Sequence, residues 1–385
     1  MLYVIDLFAG AGGFSSGVHQ AGHTVVACIE QWDKGLAMHY SNFPDCRHIK
    51  MTLGGDIETF VRDIRALVVK LVPAGATWHL HASPPCQSFS IAQRQKKPAS
   101  ALADAEADER STLLGWALAM IKQLQPPRWS LEQVPTALTY LRKHVPWIFA
   151  PESGIHIYPK VYGYQFNAPT MRKRLYLGKG WTLEGLTEAL SSKKRRRDDD
   201  GKQLGLAQTR PALCAAVLAE LNKSGAAFTL NDLAIKTSAN KWTTSKKQRE
   251  AGEGKNRWVD TANGEGLRLV DGSPSFAAIA SYPLLFFKRT SPVPTRGHRT
   301  YLDGTWTKFR ALKSSELAAL QGFNPEYRID ELDSVVLSYF NSIADVVADV
   351  PPVVATVRLT NADKVRGVGN SVVATIAAQM FQISP

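Results

Sequence analysis

Apolar positions in the first 178 residues follow two rhythms. Short runs rich in β-branched, aromatic and aliphatic residues, Tyr3–Phe8, Thr24–Ile29, Trp78–Ala82 and Arg128–Leu131, predict strands. Between them lie stretches with a helical period. In Ile57–Leu71 the apolar residues Ile57, Phe60, Val61, Ile64, Leu67, Val68 and Leu71 share one helical face. Strand–helix–strand alternation predicts a parallel sheet covered by helices on both faces, so the expected fold class is α/β. Near the end, "NSVVATIAAQMF" places Val372, Val373, Ile376 and Met380 on one face, with Asn370 as the N-cap. This helix is expected to pack back onto the first domain.

The periodicity fades from Gly180 to about Tyr301, where the chain is irregular, basic and dotted with Trp, Thr, Gly and Pro. That stretch reads as a loop-rich second domain. "SSKKRRRDDDGK", Ser191–Lys202, is a polar charge block expected to form a surface loop. Its Lys193–Arg197 run also has the composition of a nuclear localisation signal, although a solvated loop is the plainer reading. Asp333–Arg358 reads as an insertion with no assignable role.

Composition narrows the class. The chain has 385 residues, 44% hydrophobic, and no apolar run approaching 18 residues, so no transmembrane helix is expected. The start, "MLYVIDLF", lacks the basic region of a signal peptide. The four cysteines, Cys28, Cys46, Cys86 and Cys214, lack Cys-x-x-Cys spacing. This argues against zinc and disulfides, and suits a reducing compartment. The net charge is +12. Lys236–Arg257 holds seven basic and two acidic residues, and Lys288–Lys313 seven and one. That concentration predicts a polyanionic partner, most simply nucleic acid.

Two stretches carry chemistry. "VIDLFAGAGGFSSG", Val4–Gly17, is a strand, a glycine-rich turn and a helix start. Glycines 10, 12 and 13 permit a tight turn and close ligand approach. Glu30 ends the next strand, where a carboxylate can bind both ribose hydroxyls, and Asp56 can accept from an adenine amine. No triphosphate-binding loop is present. The pattern fits an adenosine-bearing ligand such as S-adenosylmethionine. "HASPPCQSFS", His81–Ser90, places Cys86 behind two prolines just past a strand end. Taken alone, Cys86 is equally readable as a reactive thiolate or as an inert buried thiol.

These motifs, together with "LEQVP", "MRKRLYLG", "RALKSSELAALQGFN" and "VGNSVV", stand in an order that resembles the cytosine-C5 DNA methyltransferase family. The resemblance implies a Rossmann-like S-adenosylmethionine-dependent methyltransferase sheet with a smaller target-recognition domain. The implied boundaries are a catalytic, cofactor-binding domain of residues 1–178 plus 361–385, a target-recognition domain of 179–330 and an insertion of 331–360. By the same resemblance Cys86 attacks C6 of a flipped-out cytosine, Glu132 serves N3 and the exocyclic amine, and Arg172 and Arg174 form the guanidinium pair, with Arg174 at O2. The implied cofactor set comprises Asp6, Phe8, Gly10, Ala11, Gly13, Glu30, Trp32, Asp56, Ile57, Pro85, Leu113, Asn370 and Ser371. Gln31 competes with Trp32 for the adenine face. Gln93, Arg94 and Gln95 belong to a mobile loop that closes over the flipped base.

Three positions depart from the family pattern. Gln133 replaces the Asn of Glu-Asn-Val, Thr170 replaces the first Gln of Gln-x-Arg-x-Arg, and Ser275 in "DGSPSFAA" stands in a Thr position. The expected partner is double-stranded DNA, bound by a monomer, with no membrane and no metal. The first motif begins at Asp6, which resembles stand-alone prokaryotic or viral enzymes. The expected location is therefore cytoplasmic, or nuclear in a viral or eukaryotic setting. A tRNA-methylating branch shares Ser-Pro-Pro-Cys-Gln, but its Cys-Phe-Thr signature is missing, since Ala-Ala follows Cys214. An inactive DNA-binding homologue is the other alternative, opposed by the retained Cys86, Glu132 and Arg174.

Overall fold

The computed structural model describes residues 1–85, 109–183 apart from 167, 169 and 171, the strand segments 233–236, 267–268, 284–288 and 300–301, and residues 306–381. Strands β1 (Tyr3–Leu7), β2 (Thr24–Ile29), β3 (Arg47–Ile49), β4 (Trp78–Ala82), β5 (Arg128–Gln133), β6 (His156–Tyr162) and β7 (Lys173–Lys179) form one sheet. Its order is β3-β2-β1-β4-β5-β7-β6. The first five strands run parallel, and β7 pairs antiparallel with both β5 and β6. Helices α1 (Gly13–Gln20), α2 (Asp33–Asn42), α3 (Ile57–Leu71), α4 (Glu109–Leu124) and α5 (Ala137–His144) complete the alternation.

Side chains alternate across each strand and feed two cores. Val4 and Cys28 enter one, while Ile5, Leu7, Ala27 and Ile29 enter the other. The predicted face of α3 is the buried one, with Phe60, Val61, Ile64 and Leu67 inside and Asp56 capping the helix by accepting from Thr59 N–H at 2.8 Å. From β1 the chain moves outward to β2 and β3, then returns to place β4 on the other side of β1. The loops after β1 and β4 therefore leave in opposite directions. The crevice between their carboxyl ends is where an open α/β sheet binds ligands.

A second, antiparallel sheet contains β8 (Leu233–Lys236), β9 (Leu267–Arg268), β10 (Leu284–Lys288), β11 (Thr300–Tyr301) and β12 (Trp306–Ala311), in the order β11-β12-β10-β8-β9. Residues 312–330, which the sequence groups with the target-recognition segment, pack into the first core instead. There α6 (Ser314–Leu320) contributes Leu317 and Leu320, and the following turn contributes Phe323, Tyr327 and Ile329. The hydroxyl of Tyr327 donates to the Ala11 carbonyl in the glycine-rich turn.

The stretch read as an insertion forms a hairpin, β13 (Ser334–Tyr339) with β14 (Val353–Arg358), around α7 (Ile343–Val347). Phe340 bridges in parallel to Ile49 beside β3, and Ile343 and Val346 join the second core. The insertion thus covers the β3 edge of the main sheet, a place that would otherwise expose unpaired backbone groups.

The C-terminal expectation needs one correction. Val372, Val373, Ile376 and Met380 are buried as predicted, but Asn370 is not an N-cap. It is the last residue of α8 (Asn361–Asn370), and the final helix α9 begins at Ala374 and ends at Phe381. Within α8, Gly367 serves close packing. A Cβ there would stand 2.4 Å from Met38 Cε and 3.1 Å from Ala11 Cβ. Helix α9 lies against α1 through Gly17, where a Cβ would meet the Ala374 carbonyl at 2.2 Å. The return of the C-terminus to the first domain is thus written in two glycines.

Candidate active site

The crevice begins where β1 ends. Phe8 takes a left-handed φ of 60°, uncommon for an aromatic residue and costing of order 1 kcal/mol, and Gly10 and Gly12 follow at 55° and 84°. Such strain is held by its surroundings. Phe8 N–H donates to the Ile29 carbonyl at 2.9 Å, and Ser83 Oγ donates to the Phe8 carbonyl at 3.2 Å. Gly13 must be glycine, because a Cβ would lie 2.4 Å from the Val372 carbonyl oxygen. That contact sets Ser371 beside the start of α1. Ser371 Oγ donates to the Gly367 carbonyl at 2.7 Å, while Asn370 is exposed.

Glu30, past the end of β2, organises the neighbouring wall. Its Oε2 accepts from Gly10 N–H at 2.9 Å and its Oε1 from Trp32 N–H at 2.8 Å. A carboxylate has about four acceptor sites, so room remains on Glu30 for a ribose hydroxyl. Burial pushes the Glu30 carboxyl above the ordinary glutamate range, opposed by the N–H groups of Trp32, Gly10 and Gln31 and by the charge of Arg366. Arg366 lies over the Trp32 ring at 4.8 Å from its centroid, a contact the sequence reading missed, while Gln31 is exposed. Asp56 is exposed beside half-buried Ile57, and Leu113 is half-buried against Gly54.

Asp6 lies beneath the turn rather than in the crevice. It is fully buried and accepts from Ser15 Oγ at 2.8 Å. Burial raises its carboxyl to about 7, with the Ser15 hydrogen bond as the main opposing influence.

The ionisation of Glu30 gives a pH prediction. As the expected ribose-binding group, it accepts hydrogen bonds most strongly when charged. Affinity for S-adenosylmethionine should therefore be full above the raised pKa and fall as pH drops through it, beginning above the usual carboxylate range. Glu30→Gln should weaken binding by about 1.5–3 kcal/mol, the worth of hydrogen bonds to a charged group, and flatten the pH dependence. Calorimetric titration across pH checks both.

On the other side of the crevice β4 ends at Ala82, and Ser83, Pro84 and half-buried Pro85 follow. Cys86 and the loop bearing Gln93, Arg94 and Gln95 lie outside the described residues, as do Cys214, Lys246, Lys247 and Ser275. Gln133, at the end of β5, donates through Nε2 to the Pro84 carbonyl at 2.7 Å, and its Oε1 accepts from Val134 N–H at 3.0 Å. A glutamine thus ties down the backbone two residues before the cysteine. Gln133→Ala would leave the Pro84 carbonyl without its buried donor, at about 1–3 kcal/mol. Methyl transfer should fall about tenfold or more while cofactor affinity changes little. Single-turnover rates beside binding titrations check this.

Glu132 is buried one residue earlier. Its Oε1 stands 2.7 Å from Arg174 Nε of the adjacent strand, with side-chain exposures of 6% and 14%. The N–H does not point at that oxygen, so the contact is an ion pair rather than an aligned hydrogen bond. Tyr176, opposite Glu132 in the β5–β7 register, is fully buried, and burial with the Glu132 charge pushes its phenol up. Arg172 points elsewhere. Its Nη1 donates to the Gly369 carbonyl at 2.7 Å and its Nη2 to the Asn370 carbonyl at 3.3 Å. It caps the end of α8, where a cation also meets the negative end of the helix dipole. Thr170 Oγ1 accepts from Arg172 N–H at 3.1 Å and shapes the turn before it. The structure therefore joins Glu132 to Arg174, and neighbouring Gln133 to Pro84, on one side of the crevice, and groups Phe8, Gly10 and Glu30 on the other. Arg172 ties the return of the C-terminus to the start of β7, and Gly13 packs against that return from the other side.

A doubly wound sheet with a glycine-rich turn and a buried carboxylate at the end of the next strand is the kind of crevice in which an α/β enzyme holds a nucleoside-bearing ligand. The comparisons are more specific. The family model described as C-5 cytosine-specific DNA methylase matches residues 2–348. The chain belongs to that family. It is 26% identical to the type II methyltransferase M.AquIA of Picosynechococcus over 218 residues, 52% of this chain and 83% of that protein. It is 31% identical to M.XorII of Xanthomonas oryzae over 133 residues, 34% of this chain and 27% of that one. In fold it is similar to the Entamoeba histolytica methyltransferase EhMeth, with a TM-score of 0.53 and 13% identity over 98% of this chain and 96% of that one. S. pombe Dnmt2 gives 0.52 and 13% over 99% and 97%. Membership of this family assigns the reaction class, transfer of a methyl group from S-adenosylmethionine to C5 of cytosine in DNA.

Proposed function

We propose that this chain methylates cytosine at C5 within one defined short sequence of double-stranded DNA, with Cys86 as the covalent catalyst. The Gln133–Pro84 hydrogen bond carries the reading, because it fixes the segment leading to Cys86 against the strand that bears Glu132. Cytosine C5 is a poor nucleophile in an electron-poor ring. Addition of the Cys86 thiolate to C6 turns the ring into an enamine whose C5 can attack an electrophilic methyl. The bound cofactor supplies that methyl from its sulfonium.

The protein's own groups do the rest. Glu132 meets N3 and the exocyclic amine, where electron density accumulates, and Arg174 holds Glu132 and offers a cation to O2. A base then removes the C5 proton and the thiolate leaves. Neither face of a stacked base pair admits this attack, so the base turns out of the helix before reacting. The Lys and Arg of the 179–311 stretch supply phosphate contacts, which position the duplex without reading its sequence.

Sequencing of modified cytosines in DNA from a host expressing the chain tests this. One short motif should be methylated throughout and absent with Cys86→Ser. Labelled methyl groups entering tRNA and not DNA would overturn the choice of substrate. A host genome without new methylation, beside folded and cofactor-binding protein, would favour an inactive homologue.

A further inference from the structure

Methyl transfer leaves unused a group of four metal-binding side chains on the face of the sheet covered by α2. Cys28 comes from β2, His39 from α2, Cys46 from the turn before β3 and His48 from β3. All four are buried, with 0% of Cys28 and His39, 5% of Cys46 and 1% of His48 exposed. The two thiols are not disulfide-bonded. One donor atom from each residue lies within 4.8 Å of the other three. His39 Nδ1 is 2.9 Å from His48 Nε2 and 3.6 Å from Cys28 Sγ. In a tetrahedral zinc site, with Zn–S of about 2.3 Å and Zn–N of about 2.0–2.1 Å, neighbouring donors stand about 3.3–3.8 Å apart. Movements of about 1 Å or less would complete that geometry.

A second observation concerns the outer nitrogen of His39. Its Nε2 lies 2.9 Å from Ser15 Oγ, and the Ser15 hydroxyl donates to Asp6 Oδ2 at 2.8 Å. With the serine proton turned to Asp6, Ser15 Oγ accepts from His39, so the His39 proton sits on Nε2. The lone pair on Nδ1 then faces Cys28 and His48. This is how proteins orient a metal-bound histidine, through a hydrogen bond that ends on a carboxylate. Charge agrees as well. Two thiolates, two neutral imidazoles and a divalent ion sum to zero, which suits a buried place where an isolated ion would be costly.

We propose that Cys28, His39, Cys46 and His48 bind one tetrahedral divalent ion of the zinc type. Two thiolates with two imidazoles select zinc over the hard cations, and four protein donors leave no open position, so the role is structural. Binding would release the two thiol protons. The ion would tie β2, α2 and β3 together behind the wall that carries Glu30, two residues beyond Cys28. A groove lined by Tyr40, Cys46, Arg47, His48 and Phe340 provides a route inward from the surface. The sequence signal is a Cys-x10-His-x6-Cys-x-His pattern. It lacks the Cys-x-x-Cys pair that argues for zinc, because a strand, a helix and a turn bring these donors together.

Protein purified without chelators from cells grown with zinc should carry about one equivalent by elemental analysis. Cys86→Ser/Cys214→Ser should keep it, and Cys28→Ser/Cys46→Ser should hold about a tenth or less. Growth with cobalt supplies a check that survives misfolding of the last variant. In Cys86→Ser/Cys214→Ser, Cys28 and Cys46 are the only thiols left. Strong visible bands of tetrahedral cobalt with sulfur-to-metal charge transfer can then arise only there. Folded wild-type protein without metal, a cobalt form without sulfur charge transfer, or a folded Cys28→Ser/Cys46→Ser that keeps its full equivalent would each overturn the proposal.

Discussion

Replacing Cys86 with serine should lower methyl transfer by roughly 10^4-fold or more while leaving S-adenosylmethionine and DNA binding close to wild type. The effect is this large because, in the proposed mechanism, this residue makes and breaks the bond that activates the ring. A serine hydroxyl is scarcely ionised at neutral pH, whereas a thiolate is both available and strongly nucleophilic. Phe8, Gly10 and Glu30, the residues proposed to hold the cofactor, follow β1 and β2 across the crevice from the Pro-Pro segment, so cofactor binding should not notice the change. Equilibrium binding of each ligand beside single-turnover transfer separates the two effects. Transfer by Cys86→Ser at near the wild-type rate would remove covalent addition from the mechanism.

Glu132→Gln should have the second largest effect, a loss of about 10^2–10^4-fold in the chemical step. Glutamine can still meet the exocyclic amine, so base binding is partly kept. It can neither take up a proton nor pass one on to N3 as electron density builds there. The same change leaves Arg174, 14% exposed, without the carboxylate 2.7 Å away. Removing one partner of a buried ion pair costs up to about 3 kcal/mol, so thermal stability should fall with activity. Glu132→Gln combined with Arg174→Gln separates the two causes. It should recover part of the stability and none of the rate.

The parts of this molecule that depend on local pattern were legible in the sequence. Thr24–Ile29, Trp78–Ala82 and Ile57–Leu71 have the bounds their periodicity gives, because each buries a face whose period matches its own geometry. Glu30 and the glycine-rich turn were legible for the same reason, since both sit at strand ends. What escaped depends on distant partners. Arg172 reads as half of a guanidinium pair, yet its hydrogen bonds go to Gly369 and Asn370, nearly 200 residues further on. Asn370 reads as the cap of the last apolar helix, yet it ends α8, whose Gly367 is held close to Met38 and Ala11 from distant parts of the chain. The spacing of the cysteines argues against zinc, but spacing says nothing about side chains such as Cys28, His39, Cys46 and His48, which a strand, a helix and a turn bring together. Residues 312–330 were grouped with the basic middle of the chain, but Leu317, Phe323 and Tyr327 are buried in the first core.

Covalent trapping tests the central claim most directly. Duplex DNA carrying 5-fluorocytosine at the methylated position should stop the reaction after methyl transfer, because fluorine at C5 cannot be removed as a proton can. Wild-type protein with S-adenosylmethionine should then form a complex that survives denaturing electrophoresis, with the DNA mapped by peptide mass spectrometry to Cys86. A stable adduct on another residue, or methyl transfer to ordinary duplex DNA with no adduct on the fluorinated one, would contradict attack by Cys86 on the cytosine ring.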